Sequence, residues 1–384
     1  MRSFFSKTKG FPFLAVLFVG LVGCSSGGDT GRLSLSLTDV STDQYKAVYV
    51  TIAEIDVHAD ADAQDTWTTV ATPNKTYNLL DLANGVREDL ALVDLTAGLY
   101  TQMRLIIGTN PDGGLNVLNE THPYANYVID LSDVAHELKV PSGLQTGVKL
   151  VQGFEINTNS TTELTLDFDA SRSVVVAGNS GKYLLKPTIQ VIDTTLASII
   201  SGTVTKAADQ APVEGALITA QVYIDETAPA IDQIVVQAST LTDANGNYKL
   251  FVAANAQDQT YDLVASKEGF APLAFNLAAE AGQTYTQDFA LVAAPDTGTV
   301  DVSVAGTGPD VYATVSFRQQ VTLNTVDVMI EVASINVVDG GPYPVVLPVG
   351  DYTVVFSTPD RLSQEITPVH VDPNAHTAAS VTFQ

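Results

Sequence analysis

The sequence has little of the chemistry that cysteine, tryptophan and basic side chains supply. Its 384 residues include one Cys and one Trp, and 18 Lys and Arg stand against 43 Asp and Glu, for a formal net charge of −25. A single Cys excludes internal disulfides and argues against a zinc or redox site, since those sites need several thiolates. A surface this acidic repels phosphate backbones, so we predict that the protein does not bind nucleic acid.

The N-terminal segment has the pattern of an export signal. Phe11–Val22 is an apolar run that is too short to cross a bilayer, which takes about 20 residues. It follows three basic residues and ends close to the only Cys, Cys24, as in a secretory signal peptide. The four residues Leu21–Cys24 (LVGC) resemble the lipobox of bacterial lipoproteins.

The lipobox resemblance implies cleavage after residue 23 and lipidation of Cys24, with palmitate among the acyl chains. Several acyl chains make a stable anchor, where a single chain is marginal. The next residue is Ser25 rather than an Asp, so the lipobox logic places the protein in the outer membrane if the cell is Gram-negative. Residues 24–30 are then a short tether. The alternative is an ordinary signal peptide with a chance Cys.

From residue 31 onward the patterns are those of β-strands. Leu33, Leu35 and Leu37 alternate with polar residues, which predicts a half-buried strand. Apolar residues then keep one parity up to Ile52 and take the other from Ile55, so we expect a β-bulge near residues 53–54. Helix is indicated only weakly. The weak helical pattern covers residues 79–95. Further strands are predicted at 103–107, 148–156, 164–168 and 184–192.

The rest of the chain repeats short β-rich runs between turn residues at a spacing of roughly 8–12 residues, as β-sandwiches do. We therefore predict an all-β protein of two or three antiparallel β-sandwich domains in tandem. The second and third domains are expected to extend outward from the first, which follows the tether. The predicted units are a signal peptide at 1–23, a tether at 24–30, and domains at 31–193, 199–292 and 298–384.

Eight stretches of the first predicted domain occur in an order that a known family shares. They are Leu33–Asp39 (LSLSLTD), Ala47–Val57 (AVYVTIAEIDV), Leu79–Gly85 (LLDLANG), Gly98–Leu105 (GLYTQMRL), Thr121–Pro123 (THP), Val140–Lys149 (VPSGLQTGVK), Thr162–Ala170 (TELTLDFDA) and Lys182–Val191 (KYLLKPTIQV). In this order they resemble the bacterial domain of unknown function DUF4382. Tyr124–Glu137 departs from the pattern as an apparent insertion. The family has no established activity, and the resemblance implies an extracellular lipoprotein β-domain.

Four stretches of the second predicted domain point to another family. They are Gly202–Val204 (GTV), Pro212–Ala216 (PVEGA), Thr242–Tyr248 (TDANGNY) and Lys267–Phe270 (KEGF). They resemble carboxypeptidase regulatory-like domains. That resemblance implies a transthyretin-like sandwich that serves as a stalk, a spacer or an accessory glycan-binding unit, with no catalytic residue among these stretches. The third domain is left without a family.

The strongest polar constellation lies on one predicted strand. Glu163, Thr165, Asp167 and Asp169 share one parity, which places three carboxylates along one face with neighbours about 7 Å apart. Such a face can coordinate a divalent ion or accept hydrogen bonds from sugar hydroxyls. A solvated polar face is the simpler interpretation.

Two further candidates are weaker. Asp60, Asp62 and Asp65 share a polar loop, but the spacing fails the calcium-loop pattern, so a solvated hairpin tip is favoured over a loose calcium site. Trp67 is either a platform for a sugar ring or a core or rim aromatic, and the second is favoured because large aromatics are usually buried. The five His are scattered and predict no metal site, and no cofactor is expected.

The functional prediction follows from the anchor and the sandwich domains. No His-Glu-x-x-His pattern is present, and no Cys/His pair is placed as nucleophile and base. We predict a non-enzymatic, lipid-anchored cell-envelope protein that binds a ligand or adheres, with carbohydrate as the ligand class. The alternative is a structural or assembly component, a scaffold or pilus-like subunit of an outer-membrane complex. An unrecognised enzyme is the third hypothesis. The expected partners are the membrane, through the anchor, and a glycan or an envelope protein.

Overall fold

The structure, a computed structural model, describes most of the chain from residue 29 onward. The ranges it describes are residues 29–384 except 41, 43, 60–66, 84, 142–146, 151–152, 178–181, 195–196, 225–226, 254–258, 309–310 and 360. The predictions for Cys24, Asp60 and Asp62 therefore lie outside the described residues. Strands make up most of the described chain, and the predicted all-β fold is confirmed. Within these ranges, no helix is long and apolar enough to span a bilayer.

The first domain is built from strands β1 to β14. Their bounds are β1 (Thr30–Val40), β2 (Ala47–Ala59), β3 (Thr68–Ala71), β4 (Lys75–Asn78), β5 (Glu88–Thr96), β6 (Gly98–Ile107), β7 (Tyr127–Ile129), β8 (Ala135–Lys139), β9 (Val148–Leu150), β10 (Phe154–Ile156), β11 (Thr161–Asp169), β12 (Val174–Ala177), β13 (Lys182–Leu185) and β14 (Ile189–Asp193). One sheet has the order β14-β11-β1-β5, and a second sheet contains β2, β6 and their neighbours. A short helix, α1 (Ala170–Ser173), follows β11.

The local patterns predicted the first strands correctly. Leu33, Leu35 and Leu37 point from β1 into the core and are 0% exposed. The predicted β-bulge is present, because the register of β2 against β6 shifts between Ile52 and Glu54. The extra residue turns the next apolar side chains back into the core, so both halves of β2 bury their apolar sets.

The weak helical indication over 79–95 is right for only one turn. Leu79–Leu82 is a 3-10 helix, whereas Glu88–Thr96 is strand β5. β5 pairs antiparallel with β1 from Thr30 to Leu37. These ladder hydrogen bonds outweigh a slight local preference for helix, since tertiary pairing decides such segments.

The second and third domains follow the first along the chain. The second contains β15 (Ala197–Lys206), β16 (Leu217–Tyr223), a 3-10 helix (Ala230–Gln233), β17 (Ile234–Leu241), β18 (Asn247–Ala253), β19 (Gln259–Ser266), β20 (Leu273–Ala279), β21 (Thr284–Thr286) and β22 (Phe289–Leu291). The third contains β23 (Thr297–Ala305), β24 (Tyr312–Leu323), β25 (Val326–Val338), β26 (Gly340–Pro348), β27 (Gly350–Ser357), β28 (Gln364–Val371) and β29 (His376–Thr382).

Each domain joins its first strand in parallel to a later one, although most neighbours are antiparallel. β1 pairs with β11, β15 pairs with β21 and β22, and β23 pairs with β29. These parallel pairs were not predicted from the sequence. A glycine in each first strand leaves room for the approach, because a Cβ added at Gly31, Gly202 or Gly298 would lie between 1.9 and 2.3 Å from a backbone oxygen.

The three domains pack around a common junction. β12 of the first domain pairs with β25 of the third at Val176 and Val337. β17 of the second domain contacts β1, and β19 contacts β25. The later domains therefore contact the first domain as well as each other, and their position relative to the anchor stays a prediction. The polar face of the first sheet is hydrogen-bonded to the second domain instead of being left to water.

Candidate ligand-binding site at the three-domain junction

The parallel pairing of β1 with β11 brings the C-terminal ends of both strands to the junction. Val40, the last residue of β1, lies beside Asp169, the last residue of β11. The Asp169 carboxylate caps α1, because it accepts hydrogen bonds from the backbone N–H of Arg172 at 3.0 Å and from the Ser171 hydroxyl at 2.5 Å. Capping fixes α1 so that Ser171 and Arg172 face the other two domains.

Glu331 of β25 is held by all three domains. Its carboxylate accepts hydrogen bonds from the Arg172 guanidinium of the first domain and from the Ser316 hydroxyl, the second at 2.6 Å. The Gln221 side chain of the second domain bonds to the backbone N–H and C=O of Glu331, at 2.9 and 2.6 Å. Glu331 is buried, and burying a carboxylate is costly unless it has such hydrogen-bond partners.

Two more basic side chains form hydrogen bonds between the third domain and the other two domains. Arg318 is 2% exposed, and it donates to the backbone carbonyls of Ala230 at 2.6 Å and Ile231 at 2.9 Å in the second domain. Lys186 of the first domain donates to Thr314 and Asn336 of the third, both at 3.0 Å. Burial lowers the pKa of Lys186 to about 8.

A cleft opens beside this polar junction and has walls from all three domains. Its cavity of about 360 Å³ falls within the size range of small-molecule sites, about 300–1,000 Å³. Its hydroxyl-bearing residues are Thr42, Ser171, Thr219, Ser239, Ser266 and Ser334. Its apolar residues include Leu217, Leu241, Phe270, Val332 and Leu347.

The charges around the cleft balance, in contrast to the strongly acidic chain. Arg172 and Lys267 oppose Glu268 and Glu331 in the lining. The Ser266 and Ser334 side chains are only partly buried, and they have no hydrogen-bond partner in the described part of the chain. Neutral hydroxyls beside apolar carbon suit a ligand that combines hydroxyl groups with C–H surface.

The predicted polar face of β11 exists, but the second domain covers part of it. Glu163 is exposed, whereas the hydroxyl of Thr165 is buried and bonded to Ser36 at 2.9 Å. Asp167 is half-buried, and its pKa is raised to about 7 by burial and, less strongly, by the charge of Asp169. The hydroxyl of Ser239, in the second domain, donates to Asp169 at 3.4 Å. The structure therefore places Asp169 at a domain contact and leaves Glu163 exposed.

Trp67 lies outside the cleft, in the first domain. It is half-buried, and the Arg104 guanidinium lies 4.5 Å from the centre of its ring. Arg104 is in turn paired with the buried Asp56 at 2.7 Å. One face of the indole is therefore covered by a fixed cation, which leaves less of it for a sugar ring.

His122 belongs to a buried side-chain network. Its Nδ1 lies 2.7 Å from the Tyr127 hydroxyl, and its Nε2 lies 3.6 Å from Asp112. Burial lowers the pKa of His122, and the charge of Asp112 opposes that shift. In the ranges given above, no group of three or more His, Cys, Asp or Glu is placed to hold a metal ion.

Sequence reasoning missed the residues of the junction. Arg172, Gln221 and Glu331 lie on separate domains, and no spacing along the chain connects them. One signal was available. Glu331 is a charged residue inside an apolar strand segment, between Ile330 and Val332, and a charge in that position needs a buried partner.

The families of the first two domains can now be compared with these boundaries. Residues 30–187 match the family model of the domain of unknown function DUF4382, and residues 199–292 match that of the carboxypeptidase regulatory-like domain. Both family resemblances are confirmed. The cleft thus lies where the segment that matches the DUF4382 model, the segment that matches the regulatory-like model and the third domain meet. Neither family description names an enzymatic activity. No curated protein matches the chain.

Solved structures give only distant likenesses. The Bacillus anthracis TIE protein is 14% identical, with 93% of this chain and 51% of that chain covered and a TM-score of 0.20. A streptococcal ancillary pilin is 13% identical, with 92% and 99% covered and a TM-score of 0.20. The 3-chlorocatechol 1,2-dioxygenase of Rhodococcus opacus 1CP is 14% identical, with 26% and 60% covered and a TM-score of 0.21. The chain thus spans about half of the first protein. At these TM-scores none of the three bears on function.

Proposed function

We propose that the protein is a non-enzymatic, lipid-anchored cell-envelope protein that binds a saccharide in the junction cleft. The observation that carries this proposal is the cleft itself, which three domains build together and line with hydroxyls and balanced charges. The lipobox at Cys24 supplies the anchor.

The lining favours a neutral saccharide over a charged ligand. An anion would meet Glu268 and Glu331, and a cation would meet Arg172 and Lys267. Hydroxyls such as Ser266 can donate to and accept from sugar hydroxyls, and the ring of Phe270 offers apolar surface to a sugar C–H face. The regulatory-like domain supplies much of this wall, in keeping with the glycan-binding role that its resemblance implied.

A glycan array tests the binding with one cleft variant and one matched control. Ser266→Phe fills the cleft from its wall, whereas Ser132→Phe adds the same side chain at an exposed turn of the first domain. We expect wild type and Ser132→Phe to bind the same glycans and Ser266→Phe to lose that signal. Silence of the folded wild type across diverse neutral and anionic glycans would overturn the saccharide proposal.

The anchor has its own test. Metabolic labelling with a fatty acid should modify wild type, and the Cys24→Ser variant should carry no label. Fractionation of a Gram-negative host should then place the labelled protein in the outer membrane. Equal labelling of the two proteins would contradict lipidation at Cys24.

A second function, assembly through a strand edge, is favoured by β5. This strand lies at the edge of its sheet, and Leu92 on it is 68% exposed. An exposed edge with an apolar side chain can accept a strand from a partner. Cross-linking in the native envelope should then trap one abundant partner, and Leu92→Lys should abolish that product. An unchanged product with Leu92→Lys would exclude β5 as the contact.

A further inference from the structure

Strand β1 spans the first domain from the tether side to the cleft. It begins at Thr30 and ends at Val40, a length of about 33 Å at roughly 3.3 Å per residue. Thr42, two residues after its end, lines the cleft. Thr30, the last residue of the tether, and the ligand site therefore lie at opposite ends of β1.

Two turns surround the start of β1. The first joins β5 to β6, and its Ala97 donates a backbone hydrogen bond to the carbonyl of Asp29 at 2.7 Å. The second joins β10 to β11, and its Asn159 donates to the carbonyl of Thr30 at 2.9 Å. We call these two turns, residues 96–99 and 157–160, the tether end of the domain.

The length of the tether limits how far this end can lie from the lipid. Thr30 lies six residue steps after Cys24, and the fully extended length of these six steps is about 20 Å. That reach is shorter than β1 itself. A domain held by such a connection has its tether end near the bilayer unless the domain lies on its side.

The charges of the domain favour the upright arrangement. Residues 95–102 and 156–162 contain no charged side chain, in a chain with a net charge of −25. Anionic headgroups repel acidic surfaces, so these two uncharged turns approach them at a lower electrostatic cost than a strongly acidic surface would, although exposed Asp29 lies between the turns at the start of β1. Leu99 is 50% exposed there. Glu155 pairs opposite Leu99 on the neighbouring strand, which confines the contact to the headgroup level.

We propose that the tether end rests on lipid headgroups and that the cleft opens on the side of the protein away from the bilayer. This orientation rests on the lipid anchoring proposed above. It makes β1 the spacer that holds the ligand site about 33 Å beyond the membrane-facing turns. The tether end contacts the lipid surface, and the saccharide binds on the side of the protein away from the bilayer.

A fluorescence experiment on the lipidated full-length chain tests the orientation. Because the only Cys is the lipidated one, a new thiol can be labelled selectively. Leu99→Cys places a fluorophore on the tether end, and Thr158→Cys places one on its second turn. Val346→Cys is the matched control, since Val346 lines the cleft and is 43% exposed, close to the 50% of Leu99. Each protein is reconstituted in vesicles of phosphatidylethanolamine and phosphatidylglycerol that contain a headgroup-labelled quencher lipid.

The expected result is several-fold stronger quenching at positions 99 and 158 than at position 346. Equal quenching at all three positions, or stronger quenching at 346, would overturn the orientation while vesicle flotation and intact mass still showed the acyl chains. If the mass shows no acyl chain and the protein does not float, the anchoring itself has failed. The same labels on a Cys24→Ser background should show no quenching, because the tether imposes the orientation.

Discussion

Asp167 illustrates what burial does to a polar strand residue. Burial and the nearby charge of Asp169 raise its pKa from 3.8 to about 7. The folded protein therefore holds this proton more tightly than the unfolded chain does. The stability that results is fully present below pH 3.8 and is lost as the pH rises through about 7. Above that range the protein carries a poorly solvated carboxylate.

Replacing this carboxyl by an amide should stabilise the protein at alkaline pH. For Asp167→Asn we expect a free energy of unfolding about 1 to 3 kcal/mol higher than wild type near pH 8, since one pKa unit corresponds to about 1.4 kcal/mol. The difference should shrink as the pH falls toward 4. Urea unfolding at several pH values measures it. Glu163→Gln, on the same strand but exposed, should give no such trend, and a flat difference for Asp167→Asn would mean that water solvates the carboxylate.

His122 is another buried group whose surroundings set its charge. It packs against the ring of Tyr49 with the ring centres 4.9 Å apart and bonds to Tyr127. Its lowered pKa means that the folded state favours the neutral imidazole. The stability it gives is present above the unfolded value of 6.5 and is lost as the pH falls below it.

Loss of this imidazole should loosen the loop that it connects to β2. We expect His122→Ala to lower the free energy of unfolding by about 1 to 3 kcal/mol, because the Tyr127 hydroxyl loses its partner in a buried position. His370→Ala is the control, since His370 is exposed and its surface pair should contribute less than about 1 kcal/mol. Chemical denaturation above pH 7 compares the two. Equal losses of stability in the two variants would mean that the buried position of His122 does not increase its contribution to stability.

At the scale of strands, the closure of each sandwich depends on a backbone contact. Gly202 in β15 faces the Gln287 carbonyl, and a Cβ built on the glycine would lie 1.9 Å from that oxygen. β15 pairs in parallel with β21 before this point and with β22 after it. A side chain at position 202 would therefore push β15 away from β21 and β22, the two strands with which it pairs in parallel.

Gly202→Ala should destabilise the protein by several kcal/mol, because close-packed backbone cannot move aside for a methyl group. Gly113→Ala is the matched control, since its Cβ would meet nothing within 4 Å and its backbone is not in the left-handed region. Thermal unfolding followed by far-UV circular dichroism measures both. A Gly202→Ala protein as stable as the control would show that β21 and β22 can shift away from β15.

Sequence patterns predicted strands better than they predicted partners. The alternation at Leu33, Leu35 and Leu37 and the parity change after Ile52 are local, and both were sufficient to predict a buried strand and a bulge. The parallel partner of β1 begins at Thr161, far along the chain, and nothing local encodes that choice. The face of Asp167 looked solvated, because a polar interface between domains has the same pattern as a polar surface. A cleft built from three domains cannot be predicted from local patterns either, because its residues lie far apart along the chain.

At the scale of the whole molecule, side chains from all three sandwiches are bonded to one another at one junction. Arg172, Gln221 and Glu331 come one from each domain, and each bonds across a boundary. The side chain of Glu331 is 9% exposed and that of Arg172 is 26% exposed. Breaking a buried ion pair by removing one partner costs more than the pair contributes, because a charge is left without compensation.

Glu331→Gln should therefore weaken the coupling between domains as well as the stability of the third. We expect a loss of about 2 kcal/mol, below the 3 to 5 kcal/mol of a fully buried pair because Arg172 retains some contact with water. Calorimetry should show one cooperative transition for wild type and separate transitions for the variant. Asp94→Asn breaks the exposed pair with Arg32, whose side chains are 51% and 65% exposed, and should leave the single transition intact. Because Glu331 and Arg172 also line the cleft, the uncoupled variant should lose saccharide binding at temperatures where each domain is still folded. Retained binding together with split transitions would place the ligand on one domain alone.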